Sequence, residues 1–180
     1  MHTDIRPAAH LPRLHIEPLR PEHLDSLAQV LMHPLVHAHI DDTPPPPARF
    51  RAELEHGLAG PVEPADGEHW LHFLVRNGDG DMLGRLEATV HHGIAEVAFL
   101  FGPAHWGRGY ATEGLQWLHA ELAWTAGVTE CWAATRPANL RSRRLLLRCG
   151  YRPAEAPDGL PLYSRDPDDL VFCRTAVRTG

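Results

Sequence analysis

Phe101-Gly102-Pro103-Ala104-His105-Trp106-Gly107-Arg108-Gly109-Tyr110-Ala111-Thr112-Glu113-Gly114 separates two kinds of pattern. Before it the chain alternates apolar and polar residues in short runs, and after it helical spacing takes over. Leu115, Leu118 and Leu122 fall on one face with Ala111, which predicts a helix over 108–124 stopped near Gly127. Small residues at Gly107, Gly109 and Ala111 let a backbone fold around an anion with several N–H groups pointing inward. The start of the following helix adds partial positive charge, so a pyrophosphate is a natural occupant. Read alone, the same loop is equally a plain glycine turn before a helix.

Working outward toward the N-terminus, 94–101, 82–91 and 69–76 read as three strands. Asn77-Gly78-Asp79-Gly80 turns the first into the second, and Gly84 marks a bulge or a close backbone approach. Ahead of this antiparallel meander, Leu14 and Ile16 alternate with polar neighbours in a first strand over 13–20. Pro21 opens a helix with Leu24, Leu27, Val30 and Leu31 on one face, which Pro34 closes. Pro44 to Pro47 form a stiff lead into a second helix over 49–58, with Phe50, Leu54 and Leu58 at i, i+4 and i+8. Residues 60–67 read as a loop, and 1–12 as an irregular extension of one domain spanning 1–180. Toward the C-terminus, 128–135 is a buried strand and 139–148 a helix, Cys149-Gly150-Tyr151 starts a return strand, and 170–177 is a last strand. The predicted order is β α α β β β α β α β β, a mixed α/β fold.

Composition limits the chemistry. The chain has 180 residues, 43% of them hydrophobic, and a net charge of -6 that disfavours nucleic acid and suits a cationic partner. No apolar run is long enough to span a bilayer, and residues 1–13 lack a signal core. All 17 basic residues are arginine, so Schiff-base chemistry and a P-loop lysine are excluded. Cys131, Cys149 and Cys173 read as buried reduced thiols, which fits a reducing cytoplasm. His33 and His37 cannot share a helical metal site across Pro34, so no metal is expected and the 14 histidines read as surface residues. Trp117, Trp124 and Trp132 read as core, with Trp70 a further candidate.

A second motif gives the glycine loop its meaning. Asn139-Leu140-Arg141-Ser142 opens a helix that ends at Gly150-Tyr151, and capping alone would explain Asn139 and Gly150. A Rossmann reading fits poorly, because the loop follows a meander rather than the first strand of a βαβ unit. Together, the two segments resemble the GNAT superfamily, with its Gln/Arg-x-x-Gly-x-Gly/Ala loop and later Asn-x-x-Ser/Ala…Gly-Phe/Tyr motif. Trp106 stands where many members have Gln or Arg. The wording from Trp106 to Glu113 looks most like the RimJ/RimL-type branch, whose members commonly acetylate protein N-termini.

The resemblance implies a central, mostly antiparallel sheet with one splayed strand pair and flanking helices. It implies acetyl-CoA as acetyl donor and a primary amine as acceptor, either a protein N-terminus or a small cationic amine. Homodimers are common among such proteins. Carried over, Ala98, Phe99, Leu100 and Phe101 pair with pantetheine, with a backbone N–H at Ala98 or Phe99 polarising the thioester carbonyl. Trp106, Gly107, Arg108, Gly109, Tyr110, Ala111 and Thr112 surround the pyrophosphate, and Asn139 and Ser142 contact the pantetheine. Glu96 is the candidate base, its alternative being a structural pairing; His72 and His91 are further candidates. The family's usual tyrosine acid falls at Leu146, so Ser142 is the nearest hydroxyl to the leaving sulfur. That substitution leaves open a non-catalytic acyl-CoA-binding module. Asp41, Asp42, Glu63, Asp66, Glu68, Asp158, Asp166, Asp168 and Asp169 suggest a cationic acceptor bound by the N-terminal helices and the 154–169 loop.

Overall fold

The computed structural model describes residues 9–64, 67–125, 127–157 and 159–176. Eight strands form one sheet: β1 (Ala9–His10), β2 (Leu14–Pro18), β3 (His69–Asn77), β4 (Met82–His91), β5 (Ile94–Phe101), β6 (Glu130–Thr135), β7 (Arg152–Ala154) and β8 (Leu170–Thr175). Their spatial order is β1-β2-β3-β4-β5-β6-β8-β7, antiparallel throughout except for the parallel pair β5–β6. The mixed α/β expectation holds. One correction falls at the N-terminus, where Ala9 and His10 pair with Ile16 and His15 instead of trailing irregularly.

Helices cover both faces of the sheet. One face carries α1 (Leu24–Leu31), α2 (Pro34–His37) and α3 (Pro47–Ala59). Leu24, Leu27, Leu31, Phe50 and Leu54 pack there against Leu74 of β3. The other carries α4 (Tyr110–Thr125) and α5 (Leu140–Arg148), whose Leu115, Leu118, Leu122, Leu145 and Leu146 meet Phe73, Leu86, Ala88 and Val97. Each proline at the first helical turn lacks an N–H that would have had no partner anyway. So Pro34 starts α2 rather than closing α1, and Pro47 starts α3.

The meander is closed by its turn. The Asn77 side-chain oxygen accepts from the backbone N–H of Asp79 and of Asp81, an Asx turn that fixes the β3–β4 register. That register slips past Val75↔Gly84 to Arg76↔Met82, a bulge at Leu83. A Cβ on Gly84 would lie 2.0 Å from the Leu100 carbonyl oxygen, so both readings of Gly84 apply.

Two composition readings are corrected. Trp124 is 57% exposed, because it lies about 200° around α4 from the buried Leu122, whereas Trp132 is buried and Trp117 stacks edge-on against Phe73. Not all histidines are at the surface: His37, His91 and His119 are buried, each with a polar partner. Cys131 and Cys149 are buried and Cys173 half-buried, all free thiols; burial pushes Cys131 up to about 12 and Cys173 up to about 11.

Candidate active site

Strands β5 and β6 pair over only three positions, Ile94↔Glu130, Ala95↔Cys131 and Glu96↔Trp132. Beyond them the strands part, while β5 stays paired to β4 as far as Phe101 and β6 to β8 as far as Thr135. Residues 97–101 and 133–135 therefore present backbone groups to a gap instead of to each other. A cavity of about 720 Å³ fills that gap.

Twelve of the thirteen residues expected to bind the cofactor line this cavity: Ala98, Phe99, Leu100, Phe101, Trp106, Gly107, Gly109, Tyr110, Ala111, Thr112, Asn139 and Ser142. Arg108 does not; it is exposed, and its carbonyl faces outward to a hydrogen bond from Arg13. Gly107 and Gly109 have φ of 76° and 82°, left-handed values that a side chain resists. They turn the chain so that α4 begins at Tyr110 with its first N–H groups beside the cavity. No Cβ contact closes in on Gly107 within 4 Å, which leaves space for an anion to approach the backbone. The pyrophosphate and pantetheine of a coenzyme A thioester fit this combination of open glycine backbone, helix start and unpaired strand edge.

Side chains brace the loop from outside and across. Arg13 donates through Nε to Glu113 at 2.9 Å and through a terminal nitrogen to the Arg108 carbonyl at 2.9 Å, and lies 5.2 Å from the Tyr110 ring centroid. Trp106 donates to the Phe101 carbonyl at 2.7 Å, and the Arg141 guanidinium stacks 3.5 Å from its ring centroid. Thus the residue that departs from the Gln/Arg pattern ties the end of β5 to the start of α5. Arg13 and Arg141 carried no sequence signal, because each acts through a partner remote in the chain.

On α5, the Asn139 side chain caps the helix by accepting from the Ser142 N–H at 3.1 Å. At the other end Tyr151 N–H donates to the Leu146 carbonyl and Gly150 N–H to Leu147, with Gly150 at φ 85°, a Schellman ending. Tyr151 is thereby driven into the core. Arg174 donates to His119 Nδ1, so the ring proton sits on Nε2 and is donated to the Tyr151 hydroxyl at 2.7 Å. Burial and the adjacent Arg174 push His119 down to about 3, and burial raises Tyr151 well above its ordinary value. The Gly-Tyr half of the motif is a core anchor that sets the position of α5. Leu146, at the position of the family's usual tyrosine, lines the cavity, as does Ser142.

Glu96 departs from the role expected of it. It is buried and absent from the cavity wall. Its Oε1 accepts from His91 Nε2 at 2.9 Å and from Tyr163 N–H at 2.8 Å. Its Oε2 accepts from the Ser164 N–H at 3.0 Å and hydroxyl at 2.5 Å. Both oxygens are therefore engaged, and what they hold is the loop after β7, whose Ser164, Asp166 and Asp169 do line the cavity. His91 is consumed in the same cluster. Apolar neighbours in sequence signalled burial correctly but could not show that donors from 67 positions away would fill the carboxylate.

The glutamate that does line the cavity is Glu87 on β4, register partner of Ala98 and therefore beside it on the same face. His72 Nδ1 lies 2.9 Å and Arg85 3.0 Å from its Oε1. Burial pushes the Glu87 carboxyl up, but Arg85 and His72 outweigh it and hold the group below the usual carboxylate range. Of the acids expected around the acceptor, Asp41, Asp166 and Asp169 line the cavity, and Asp42 pairs with Arg136 at 2.8 Å. Glu63, Glu68 and Asp168 stand away from the wall, while Asp66 and Asp158 lie outside the described residues.

With this geometry in hand, comparison with known proteins is specific. A profile of the acetyltransferase (GNAT) domain matches residues 13–152. No curated protein matches the chain. Among solved structures, the acetyl transferase of Salmonella typhimurium that modifies the N-terminal serine of ribosomal protein L7/L12 superposes with a TM-score of 0.73 at 14% identity, covering 92% of this chain and 96% of that one. Spermidine N-acetyltransferase from Vibrio cholerae, in complex with CoA and spermine, gives 0.70 at 15% identity over 91% and 95%. Mycobacterium smegmatis RimJ, in complex with CoA-disulfide, gives 0.68 at 19% identity over 98% and 90%. These likenesses extend the shared architecture across both sides of the cavity. The parted strands, the glycine loop at the head of α4, the capped helix α5 and the profile match agree: the chain belongs to the GNAT acetyltransferase family.

Proposed function

We propose that this protein transfers acetyl from acetyl-CoA to a primary amine by direct attack on the thioester. The acceptor is a protein N-terminus or a small cationic amine, and the chain acts as one domain of the RimJ/RimL-type branch in a reducing cytoplasm. The observation that carries the reading is the parting of β5 and β6 beside the glycine loop, which puts an unpaired strand edge and a helix start in one cavity.

Acetyl-CoA supplies an activated acetyl group. The N–H groups of 109–112 hold the pyrophosphate without a side-chain cation, which matches the absence of lysine. The edge of Ala98 to Phe101 aligns the pantetheine, and an N–H at Ala98 or Phe99 polarises the thioester carbonyl as its oxygen gains charge. The amine attacks as its free base, having lost the ammonium proton to solvent, and its nitrogen gives up a second proton to water as the C–S bond breaks. Ser142, on the first turn of α5, donates a hydrogen bond to the departing sulfur and relays a proton to it from water. Glu96 is a positioning residue that fixes the acceptor-side loop.

Thiol release in the presence of acetyl-CoA and a panel of primary amines tests the proposal, with the products weighed by mass spectrometry. Amine-dependent thiol and a matching acetyl adduct are expected. Acetyl-CoA binding with no amine-dependent thiol would favour the non-catalytic module, and no binding at all would remove both readings. Ser142→Ala is expected to lower kcat on the order of 10²-fold while leaving the acetyl-CoA Kd within about twofold.

A further inference from the structure

The acceptor half of the cavity lies on the sheet face covered by α1–α3, where Val36, His39 and Asp41 line it together with residues of β4. At its floor stand two opposite charges two residues apart, Arg85 and Glu87, both lining the cavity and register partners of Leu100 and Ala98. Their side chains are 15% and 19% exposed, so each is mostly out of water yet retains an accessible part. Their charged ends are 3.0 Å apart.

The pair is built rather than incidental. His72 supports Glu87 from β3, and its own position depends on α3. A Cβ on Gly57 would come within 3.0 Å of the His72 ring. His72 Nδ1 faces Glu87, and its buried Nε2 has no partner. The Arg85 Nε is likewise buried without a partner, so the guanidinium is incompletely satisfied by the protein. A structural ion pair on this floor would be expected to leave neither nitrogen without a partner. Burial and charge also bear on the role of Glu87: beside Arg85 it stays ionised, so it binds an ammonium and does not retain its proton.

A purely cationic amine would gain from Glu87 and be opposed by Arg85 at the same spot. A ligand that offers an ammonium and, about 3 Å from it, a carbonyl or carboxylate oxygen satisfies both. That is the spacing of an α-amino group and its own carbonyl. Accepting the acetyl-transfer reading given above, on which this rests, we propose that Arg85 and Glu87 together select an α-aminoacyl acceptor. Glu87 receives the α-ammonium beside Ala98, and Arg85 donates to the oxygen of the same residue. His72 is a positioning residue for Glu87. The pair accounts for a mixed-sign floor below an acidic rim of Asp41, Asp166 and Asp169.

The test compares three acceptors on the full chain: alanyl-alanine amide, propan-1-amine and spermidine. For each, transfer is read as kcat/KM, and binding is read separately by calorimetry in the presence of coenzyme A. The wild-type protein is expected to favour alanyl-alanine amide at least tenfold over both amines in each readout. Arg85→Met is expected to bring the three within about threefold, and Arg85→Lys to restore part of the preference. Glu87→Gln is expected to weaken alanyl-alanine amide binding at least tenfold with the acetyl-CoA Kd unchanged. Wild-type preference for spermidine, or a preference for the dipeptide amide that survives Arg85→Met, would overturn the assignment. If no amine accepts acetyl but Arg85-dependent binding of alanyl-alanine amide persists, the transfer reading fails and the recognition pair stands.

Discussion

Glu96 sits one residue before the parting of the strands, and its carboxylate joins the first half of the fold to the last. Four hydrogen bonds from His91, Tyr163 and Ser164 converge on it, two of them from backbone N–H groups that a neutral amide would serve less well. Glu96→Gln keeps the volume but turns an NH2 toward donors. We expect a loss of about 3 kcal/mol in urea denaturation and a rise in the acceptor KM, with the acetyl-CoA Kd unchanged. A base would give a different signature, a fall in kcat with the acceptor KM unchanged. At this scale the sequence was legible where a residue's role is local: Asn139 as a cap, and Gly107 and Gly109 as glycines that turn the loop before a helix. Glu87 was not singled out, because a Glu alternating with apolar residues on a strand looks solvent-facing. Its partners His72 and Arg85 and the cavity beside it appear only after β3, β4 and β5 are aligned.

Among the elements, β4 and β5 are the frame on which the cavity is built. Their approach at Gly84 leaves 2.0 Å between a hypothetical Cβ and the Leu100 oxygen, less than any real contact allows. Gly84→Ala must therefore push β5 outward at its cavity-lining end. About 3 kcal/mol of destabilisation is expected in chemical denaturation, together with weakened acetyl-CoA binding. A neutral outcome would mean that the strands are less closely paired there. The element order was readable because periods of two and of about 3.6 alternate cleanly along the chain. One misread element lies at a proline: Pro34 begins α2 here but looks like the terminator of α1 in a linear reading, whereas Pro44 to Pro47 do lead into α3 as expected. The short edge strand β1 was also missed, since two residues carry no period.

For the whole molecule, the motif that ends at Gly150-Tyr151 couples the cavity to the core through His119 and Arg174. The ring titrates near 6.5 when unfolded and near 3 when folded, so only the unfolded chain binds its proton between those values. Stability from this site is complete above pH 6.5 and is lost as pH falls toward 3. Between pH 7 and pH 5 the loss is about 2 kcal/mol, and His119→Gln should flatten that part of the pH–stability curve. An unaltered slope in the variant would assign the acid sensitivity to other groups. The profile match fixes the family, and two arginines brace the site, Arg13 outside the glycine loop and Arg141 over Trp106.

Central to all of this is that the loop from Trp106 to Ala111 and the parted strands form a coenzyme A site. Calorimetric titration with acetyl-CoA measures that directly, on the wild-type protein and on Gly109→Glu, with thermal melting to confirm that the variant is folded. One saturable site per chain is expected in the wild type, and much weaker binding in the variant, because a side chain at φ 82° meets Arg13 and strains the loop that holds the pyrophosphate. Absence of binding in the wild type, or an unchanged Kd in a folded Gly109→Glu, would contradict it.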